Sequence, residues 1–456
     1  MGIGGAGMSA IARLMQASGY DVSGDDQAES AVLVALRAEG IPCHASHSIE
    51  HLIGVDAIAP SSAINPAEPE LVEARRRGLK IWHRGDLLHA LMQDKIGIAI
   101  AGTHGKTTTT DMVAKILLDH GQDPSYIVGG QSTSLPSNAR VGSGSAFVVE
   151  ADEYDRTFLR LAPTVAVVCN AEFDHPDIFA DLEDTLGAFT QFACSLPSDG
   201  ALVWCADDPG AVTVAERARS AAAIEHKDSI TFTDYGLDRG AWRARNIRGN
   251  PLGGFDYRLQ SFDARSAEVS LRVPGVHNIL NSMAALIVAD LAGVPLDAAA
   301  ESLGGYHGAA RRFELKGEKR GVRYIDDYAH NPAKIRAALS GARARYPVGN
   351  IWALWQPHTY SRTLALMDDF ARSFREADHV LVLPIYGARE KLSDFGADSD
   401  RLNPISIGRM IKHPDVRSCA SIDNAVGLLT ATLRPGDVLV SLSAGDGNQV
   451  LDRLLQ

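Results

Sequence analysis

Ile96-Gly97-Ile98-Ala99-Ile100-Ala101 runs directly into Gly102-Thr103-His104-Gly105-Lys106-Thr107-Thr108. A continuous apolar run of this length is what a parallel strand covered on both faces requires. The glycines, lysine and threonines that follow suit a turn whose backbone N–H groups point at phosphate oxygens, with a helix N-terminus adding a favourable field. A helix is predicted from about Thr107 to His120, with Met112, Val113, Ile116 and Leu117 as its apolar positions. The spacing, GxxGKT, is two residues shorter than the common GxxxxGK[ST] loop, but strand, glycines, Lys, Thr and helix coincide. Gly102 to Thr108 are therefore expected to bind ATP. Lys106 would meet the β- and γ-phosphates, and the Thr107 hydroxyl would hold Mg²⁺.

Outward from this loop, further apolar runs end in polar residues. Ala146–Val149 leads into Glu150-Ala151-Asp152-Glu153-Tyr154-Asp155, and Val165 onward leads into Asn170-Ala171-Glu172-Phe173-Asp174-His175-Pro176-Asp177. The carboxyl ends of parallel strands are where ligands bind in such sheets. Glu150 is placed to hold a metal, and His175 to bind a second Mg²⁺ or orient a nucleophile. Ala201–Trp204 reads as another buried strand, and Ile230 to Val273 as short alternating, antiparallel runs. His277-Asn278-Ile279-Leu280-Asn281 opens an Ala-rich helix.

The N-terminal stretch alternates helix and strand signals: Gly2-Ile3-Gly4-Gly5-Ala6-Gly7, a helix over Ser9–Ser18, a short strand over Tyr20–Asp26, and Val55–Ala59 closed by Pro60-Ser61-Ser62. This is a βαβ pattern. A glycine turn of this kind follows a buried strand, and the expectation is that the strand before Gly2 is missing. Asp25 or Asp26 is placed to meet a ribose or sugar hydroxyl. From Arg311 onward, Val322–Asp326, Ile351–Trp355, His379–Leu383 and Val438–Leu442 are strand-like and separated by helical stretches, giving another parallel α/β unit. Arg311-Arg312-Phe313-Glu314, Asp326 to Pro332 and Gln356 to Arg362 are polar segments there. Singly, each serves structure as readily as chemistry; together they favour a site between domains.

The chain has 456 residues, 45% hydrophobic and 22% charged, with a formal net charge of −12. That length suggests about three domains, and that charge argues against a nucleic-acid binder. The five cysteines, Cys43, Cys169, Cys194, Cys205 and Cys419, lack zinc-site or disulfide spacing. No membrane span and no signal peptide are expected, so the expected location is cytoplasmic.

Taken together, these motifs resemble the Mur ligases of peptidoglycan precursor synthesis. The likeness covers nearly the whole chain. It rests on Gly2 to Ser9, Ser61 to Ile64, Ala101 to Thr110, Glu150 to Asp155, Asp174-His175, His277-Asn278, Arg312-Phe313-Glu314, Asp326 to Pro332, Gln356 to Arg362, Ala388-Arg389-Glu390 and Ala444-Gly445-Asp446. The resemblance implies an α/β chain of three domains. A Rossmann-like domain over 1–86 would bind UDP-N-acetylmuramate through Gly4, Gly5, Ala6, Gly7, Met8, Ser9, Asp26, Ser61 and Ser62. A central ATPase-type parallel sheet would span 87–308, and a Rossmann-like domain for amino acid and nucleotide 309–456.

Within the family, the branch that adds L-alanine to the lactyl carboxylate of UDP-N-acetylmuramate fits best. Its implied reaction consumes ATP, passes through an acyl phosphate and releases ADP and phosphate. Lys106, Glu150, His175, Arg312 and Asp327 would be catalytic. Thr107, Glu150 and His175 would ligate Mg²⁺. Asn278 or Asn281, with Arg312 and Asp327, would complete the ATP site, and Tyr328, His330 and Arg362 would hold L-alanine. Several relatives carry a carbamoylated lysine after the Asp-His motif; no Lys lies between Asp177 and Asp199, consistent with the alanine-adding branch. The partners implied are UDP-N-acetylmuramate and L-alanine, with no nucleic acid or membrane, on a monomer or weak dimer. Competing readings are the recycling ligase that joins a murein tripeptide to the same UDP-sugar, a folylpolyglutamate-type ligase, and a nucleotide-binding regulator without catalysis.

Overall fold

The structure is a computed structural model that describes residues 1–456 apart from Gln131, Pro176, Asp177 and Arg389. The expectations touching Pro176 and Asp177, and Arg389 of the Ala388–Glu390 motif, lie outside the described residues. The chain folds as two compact units, one of 1–272 with 276–307, the other of 273–275 with 308–456.

The first unit is built on a ten-stranded sheet. Its spatial order is Ser266–Ser270, Phe255–Ser261, Trp242–Gly249, Thr231–Gly236, Ala201–Cys205, Val165–Val168, Ile96–Ala101, Ala146–Ala151, Ser125–Ile127 and Ala139–Arg140. Ile96–Ala101 lies between two parallel neighbours, in register from Ile96↔Ala146 and from Ile98↔Val165. The antiparallel reading of 230–273 needs one correction. Thr231–Gly236 runs parallel to Ala201–Cys205, because the helix Pro209–Ile224 forms a crossover between them. The antiparallel part is Trp242–Gly249, Phe255–Ser261 and Ser266–Ser270.

The helix after the phosphate loop spans Lys106–Asp119 and buries Met112, Val113, Ile116 and Leu117 completely. Elsewhere in the core Phe158 meets Phe189 edge-on at 5.1 Å and stacks on Phe192 at 5.2 Å. Within the loop helix Asp111 is fully buried, and the Tyr306 hydroxyl donates to its Oδ2 at 2.9 Å. Burial dominates and lifts the Asp111 carboxyl from 3.8 to about 6. A raised folded-state value contributes stability that is full below the unfolded value and is lost as pH rises through the folded one. Stability relative to Asp111→Asn should therefore fall by up to about 3 kcal/mol as pH rises from about 4 to 6. Urea unfolding of both proteins across that range tests this; parallel curves would contradict it.

The N-terminal part of this unit is more compressed than its sequence pattern implies. The first helix spans Ala6–Ala17, beginning a turn before Ser9, because Gly5 takes the extended N-cap conformation. The strand expected over Tyr20–Asp26 shortens to Gly24–Asp25, paired with Cys43–His44, and Ala57–Ile58 pairs with Lys80–Ile81. Met1 to Ile3 run between these two small parallel sheets. The Met1 amine donates to Ala59 O at 3.1 Å, Ser61 N donates to Met1 O at 3.0 Å, and Ile3 N donates to Asp25 O at 2.9 Å.

The second unit carries a six-stranded sheet ordered Glu314–Lys319, Val322–Asp327, Val438–Ser443, Ile351–Gln356, His379–Val382 and Val416–Ser418. Glu314–Lys319 is antiparallel to its neighbour, a correction to the all-parallel reading; two residues separate the two strands, enough for a hairpin and far too few for a crossover. The remaining pairs are parallel. Its core centres on the fully buried Trp355, 4.8 Å from Phe370 and 5.2 Å from Phe374. No helix among the described residues is long and apolar enough to cross a membrane.

Candidate active site

Three adjacent parallel strands of the first unit end together, and their loops build one polar cluster. Gly102 and Gly105 adopt φ of +152° and +84°, backbone that disfavours other residues. They turn the chain from Ile96–Ala101 into the first turn of Lys106–Asp119. The next strand buttresses the turn: His104 N donates to Asn170 Oδ1 at 2.7 Å, Asn170 Nδ2 donates to His104 O at 3.1 Å, and the Thr103 hydroxyl donates to Glu172 O at 3.1 Å. Asn281 lies on the other side, where a Cβ at Gly105 would stand 2.5 Å from its Oδ1. Asn281 Nδ2 in turn donates to Asn278 Oδ1 at 3.0 Å.

Lys106 Nζ donates to Gly102 O at 2.6 Å and to Glu153 Oε2 at 2.5 Å. The other oxygen of Glu153 lies 3.5 Å from His175 Nε2. Glu153 thus bridges the loop lysine and the candidate metal histidine, with its side chain 4% exposed. Burial works against both charges, but each outweighs it for the other. Glu153, Asp152 and Glu150 raise Lys106, and Lys106 with His175 holds Glu153 down at about 2. Glu150 faces the Gly129-Gly130 turn, where Gly129 N donates to its Oε1 at 2.5 Å. A Cβ at Gly130 would lie 3.4 Å from the Thr107 methyl. The backbone is left-handed at Asp155, Arg156 and His175, with φ of 56°, 50° and 58°; such strain collects where a site over-determines its geometry.

Of the expected residues in this unit, the structure gathers Gly102 to Thr108, Glu150, His175, Asn278 and Asn281 around the loop. Glu153, Asn170 and Gly129 complete the cluster and were not singled out by the sequence reading. Glu153 and Asn170 stood inside polar runs it had noted; Gly129 carried no signal. In the N-terminal part, Asp26 Oδ2 accepts from Gly4 N at 2.8 Å and tethers the glycine turn at the N-terminus of Ala6–Ala17. Ser61 packs on Gly2, whose Cβ position would be 2.9 Å from the serine Cβ. Ser62 is exposed beside it. Met8 and Ser9 are buried, and the Ser9 hydroxyl donates to Ala6 O.

In the second unit, the ends of Val322–Asp327, Ile351–Gln356 and Val438–Ser443 converge. Arg311 Nη2 donates to Ser443 O at 2.6 Å, and its Nε lies 3.3 Å from Asp326 Oδ2. Asp327 Oδ2 accepts from Phe313 N at 2.8 Å, and burial, opposed by Arg312, lifts Asp327 to about 6. The Arg312 guanidinium lies 5.3 Å from the Tyr328 ring centre, and Tyr328 meets His330 edge-on. His330 Nδ1 lies 2.8 Å from Tyr328 O. That contact fixes Nδ1 as the donor and leaves Nε2 as an acceptor. Burial, then Lys334 and Arg362, lower His330 well below the usual imidazole range. His358 lies 5.9 Å from His330 and stacks on Tyr386. Glu390 accepts from Tyr360 N, Ser361 N and the Ser361 hydroxyl, fixing the turn that carries Arg362.

Three family models match in succession: "Mur ligase family, catalytic domain" over 1–96, "Mur ligase middle domain" over 100–289, and "Mur ligase, glutamate ligase domain" over 311–445. A UDP-N-acetylmuramate–L-alanine ligase of Roseiflexus sp. is 40% identical over 99% of this chain and 96% of its own. One of Renibacterium salmoninarum is 40% identical over 100% and 95%. The crystal structure of UDP-N-acetylmuramate-alanine ligase from Thermotoga maritima superposes with a TM-score of 0.81 at 26% identity, covering 100% of this chain and 97% of that one. A murein peptide ligase from Psychrobacter arcticus gives 0.74 at 25% identity with the same coverage. With matching models along its length and relatives at 40% identity end to end, the chain belongs to the Mur ligase family.

Proposed function

We propose that this enzyme joins L-alanine to the lactyl carboxylate of UDP-N-acetylmuramate, with ATP converted to ADP and phosphate by way of an acyl phosphate. The observation that carries the reading is the Lys106–Glu153–His175 chain at the mouth of a loop turned by two left-handed glycines. The end-to-end relatives bearing the alanine-ligase name support the choice of substrates.

The chemistry explains the cluster. A carboxylate attacking a triphosphate is anion meeting anion. The cation at Lys106 and the N–H groups of the 102–108 turn offset that repulsion and stabilise charge on the transferred phosphoryl group. The loop is built for a tight turn around phosphate: a Cβ at 102 would stand 2.9 Å from His104 O and one at 105 2.5 Å from Asn281 Oδ1, so only glycine lets the backbone close there. Thr107, Glu150 and His175 are the candidate Mg²⁺ ligands; the hard oxygens of Thr107 and Glu150 suit that ion, and His175 is the one nitrogen donor among them. Mg²⁺ supplies charge neutralisation and orientation of the phosphates. Gly4 to Ser9, Asp26, Ser61 and Ser62 are assigned to the UDP-sugar. Arg312 and Asp327 are assigned to the nucleotide. Tyr328, His330 and Arg362 are assigned to L-alanine, where His330 Nε2, an acceptor held neutral, suits the incoming ammonium or amine. The reaction is placed in the cytoplasm.

Phosphate release from ATP, measured with UDP-N-acetylmuramate plus L-alanine, glycine, L-serine or murein tripeptide, tests this. Turnover is expected with L-alanine. Turnover with the tripeptide alone would replace this assignment by the recycling ligase, and none with any acceptor would favour a regulator.

A further inference from the structure

Away from the phosphate loop, four side chains of the N-terminal part converge in a way the ligase reaction does not use. Asp25 ends the strand Gly24–Asp25, Glu70 stands in the first turn of the helix Pro69–Arg76, and His51 lies in the 3₁₀ turn Ile49–Leu52 with His47 just before it. His47 Nδ1 is 2.7 Å from Asp25 Oδ1 and 3.8 Å from Glu70 Oε2, and His51 Nδ1 is 3.2 Å from Asp25 Oδ2. One ligating atom each from Asp25, His51 and Glu70 lies within 4.8 Å of the others.

We propose that Asp25, His51 and Glu70 hold a Zn²⁺ ion in the N-terminal part of the chain, with His47 hydrogen-bonded to Asp25 and steadying it. Zn²⁺ binds nitrogen and carboxylate oxygen at about 2.0–2.2 Å in a tetrahedron, which sets its ligand atoms about 3.3 Å apart. His51 Nδ1 stands 3.2 Å from Asp25 Oδ2, close to that value, and one oxygen of Glu70 lies within 4.8 Å of ligating atoms of both. An imidazole with two carboxylates suits Zn²⁺ better than Mg²⁺ or Ca²⁺, which favour oxygen. Asp25 and Glu70 are both buried. Among the described residues neither forms an ion pair with Arg or Lys, and the two acids hydrogen-bond to one another. Two buried carboxylates so placed are costly unless a proton or a metal cation is shared between them.

His47 steadies Asp25, and His51 is held in place as a ligand. The His47 side chain is 7% exposed, its Nδ1 faces the acids, and its Nε2 is buried without a hydrogen-bond partner, so the polar engagement of the ring is confined to this cluster. His51 is stacked on His44 at 4.1 Å. Ser48 N donates to Glu70 Oε2 at 3.1 Å and orients that carboxylate. An ion here would tie a strand, a 3₁₀ turn and a helix into one body, next to Asp26, which holds the Gly4 turn.

The full chain, dialysed against chelator and then titrated with Zn²⁺ alone in competition with a chromogenic chelator, tests the proposal. One tightly held Zn²⁺ per chain is expected, and Co²⁺ in its place should give the intense visible bands of a tetrahedral site. His51→Ala, at a position one-fifth exposed, should keep the fold by circular dichroism and weaken binding more than about 100-fold, beyond the loss typical of outer-shell changes. Asp25→Asn should do the same, while His175→Ala should leave this binding unchanged. Absence of a stoichiometric ion, an octahedral Co²⁺ spectrum, or binding indifferent to both His51→Ala and Asp25→Asn would overturn it.

Discussion

Lys106→Ala is expected to lower ATP-dependent phosphate release by at least about 1,000-fold, the scale of losing a charge that stabilises a transferring phosphoryl group. The same substitution strips Glu153 of its ion-pair partner while leaving that carboxylate buried. Breaking one side of a buried pair typically costs about 3–5 kcal/mol, so inactivity alone would be ambiguous between lost chemistry and a damaged fold. The double variant Lys106→Ala/Glu153→Gln separates them. It removes both charges, so its urea midpoint should return most of the way to that of the parent protein, while phosphate release stays at the level of the single variant. A double variant that regained activity with its stability would show that Lys106 holds the loop together rather than acting on phosphate.

The pair also sets an acid limit. Glu153 is held at about 2, below its ordinary value of 4.5. A depressed folded-state value contributes stability that is present above the unfolded value and lost as pH falls through the folded one. The Lys106–Glu153 contact should therefore weaken between about pH 4.5 and 2, and not near neutrality.

Gly105→Ala is expected to reduce kcat/KM for ATP by about 100-fold, chiefly through KM. Two costs combine there. A residue with a Cβ at φ +84° carries about 1–3 kcal/mol of strain, and that Cβ would stand 2.5 Å from Asn281 Oδ1, so the loop or the Asn278–Asn281 pair must shift. Gly121→Ala is the matched control. It lies just beyond the other end of the same helix at φ +69°, with nothing within 4 Å of the added Cβ. It should lose about 1 kcal/mol of stability and leave KM for ATP unchanged. Equal KM effects from the two alanines would remove the steric argument and leave general strain.

The centre of the fold was legible because its strands are buried on both faces. Ile96–Ala101 was read with its observed bounds, and Ala146, Val165, Ala201, Ile351 and Val438 begin strands that were read within a residue or two at their far ends. Ser125–Ile127 and Ala139–Arg140 were missed because two or three residues carry no period. Glu314–Lys319, charged and at an edge, has no apolar run to betray it. Among the acids of Glu150 to Asp155, spacing does not tell which carboxylate reaches Lys106. The fold answers it with Glu153, whose Oε2 accepts from Lys106 Nζ, and no local pattern announces that. The quartet of Asp25, His47, His51 and Glu70 was invisible for a different reason: its members are spread over 46 positions with no recurring interval.

The way the ten-stranded sheet stops has a consequence for handling the protein. An open sheet presents unpaired N–H and C=O groups at each border, and long flat borders recruit further chains. Here one border is Ala139–Arg140, two residues long, and the other is Ser266–Ser270, five residues with Glu268 pointing into solvent. Short and charge-bearing, neither offers a template for edge-to-edge growth. This sheet should stay colloidally stable at the high concentrations that crystallisation or scattering experiments demand.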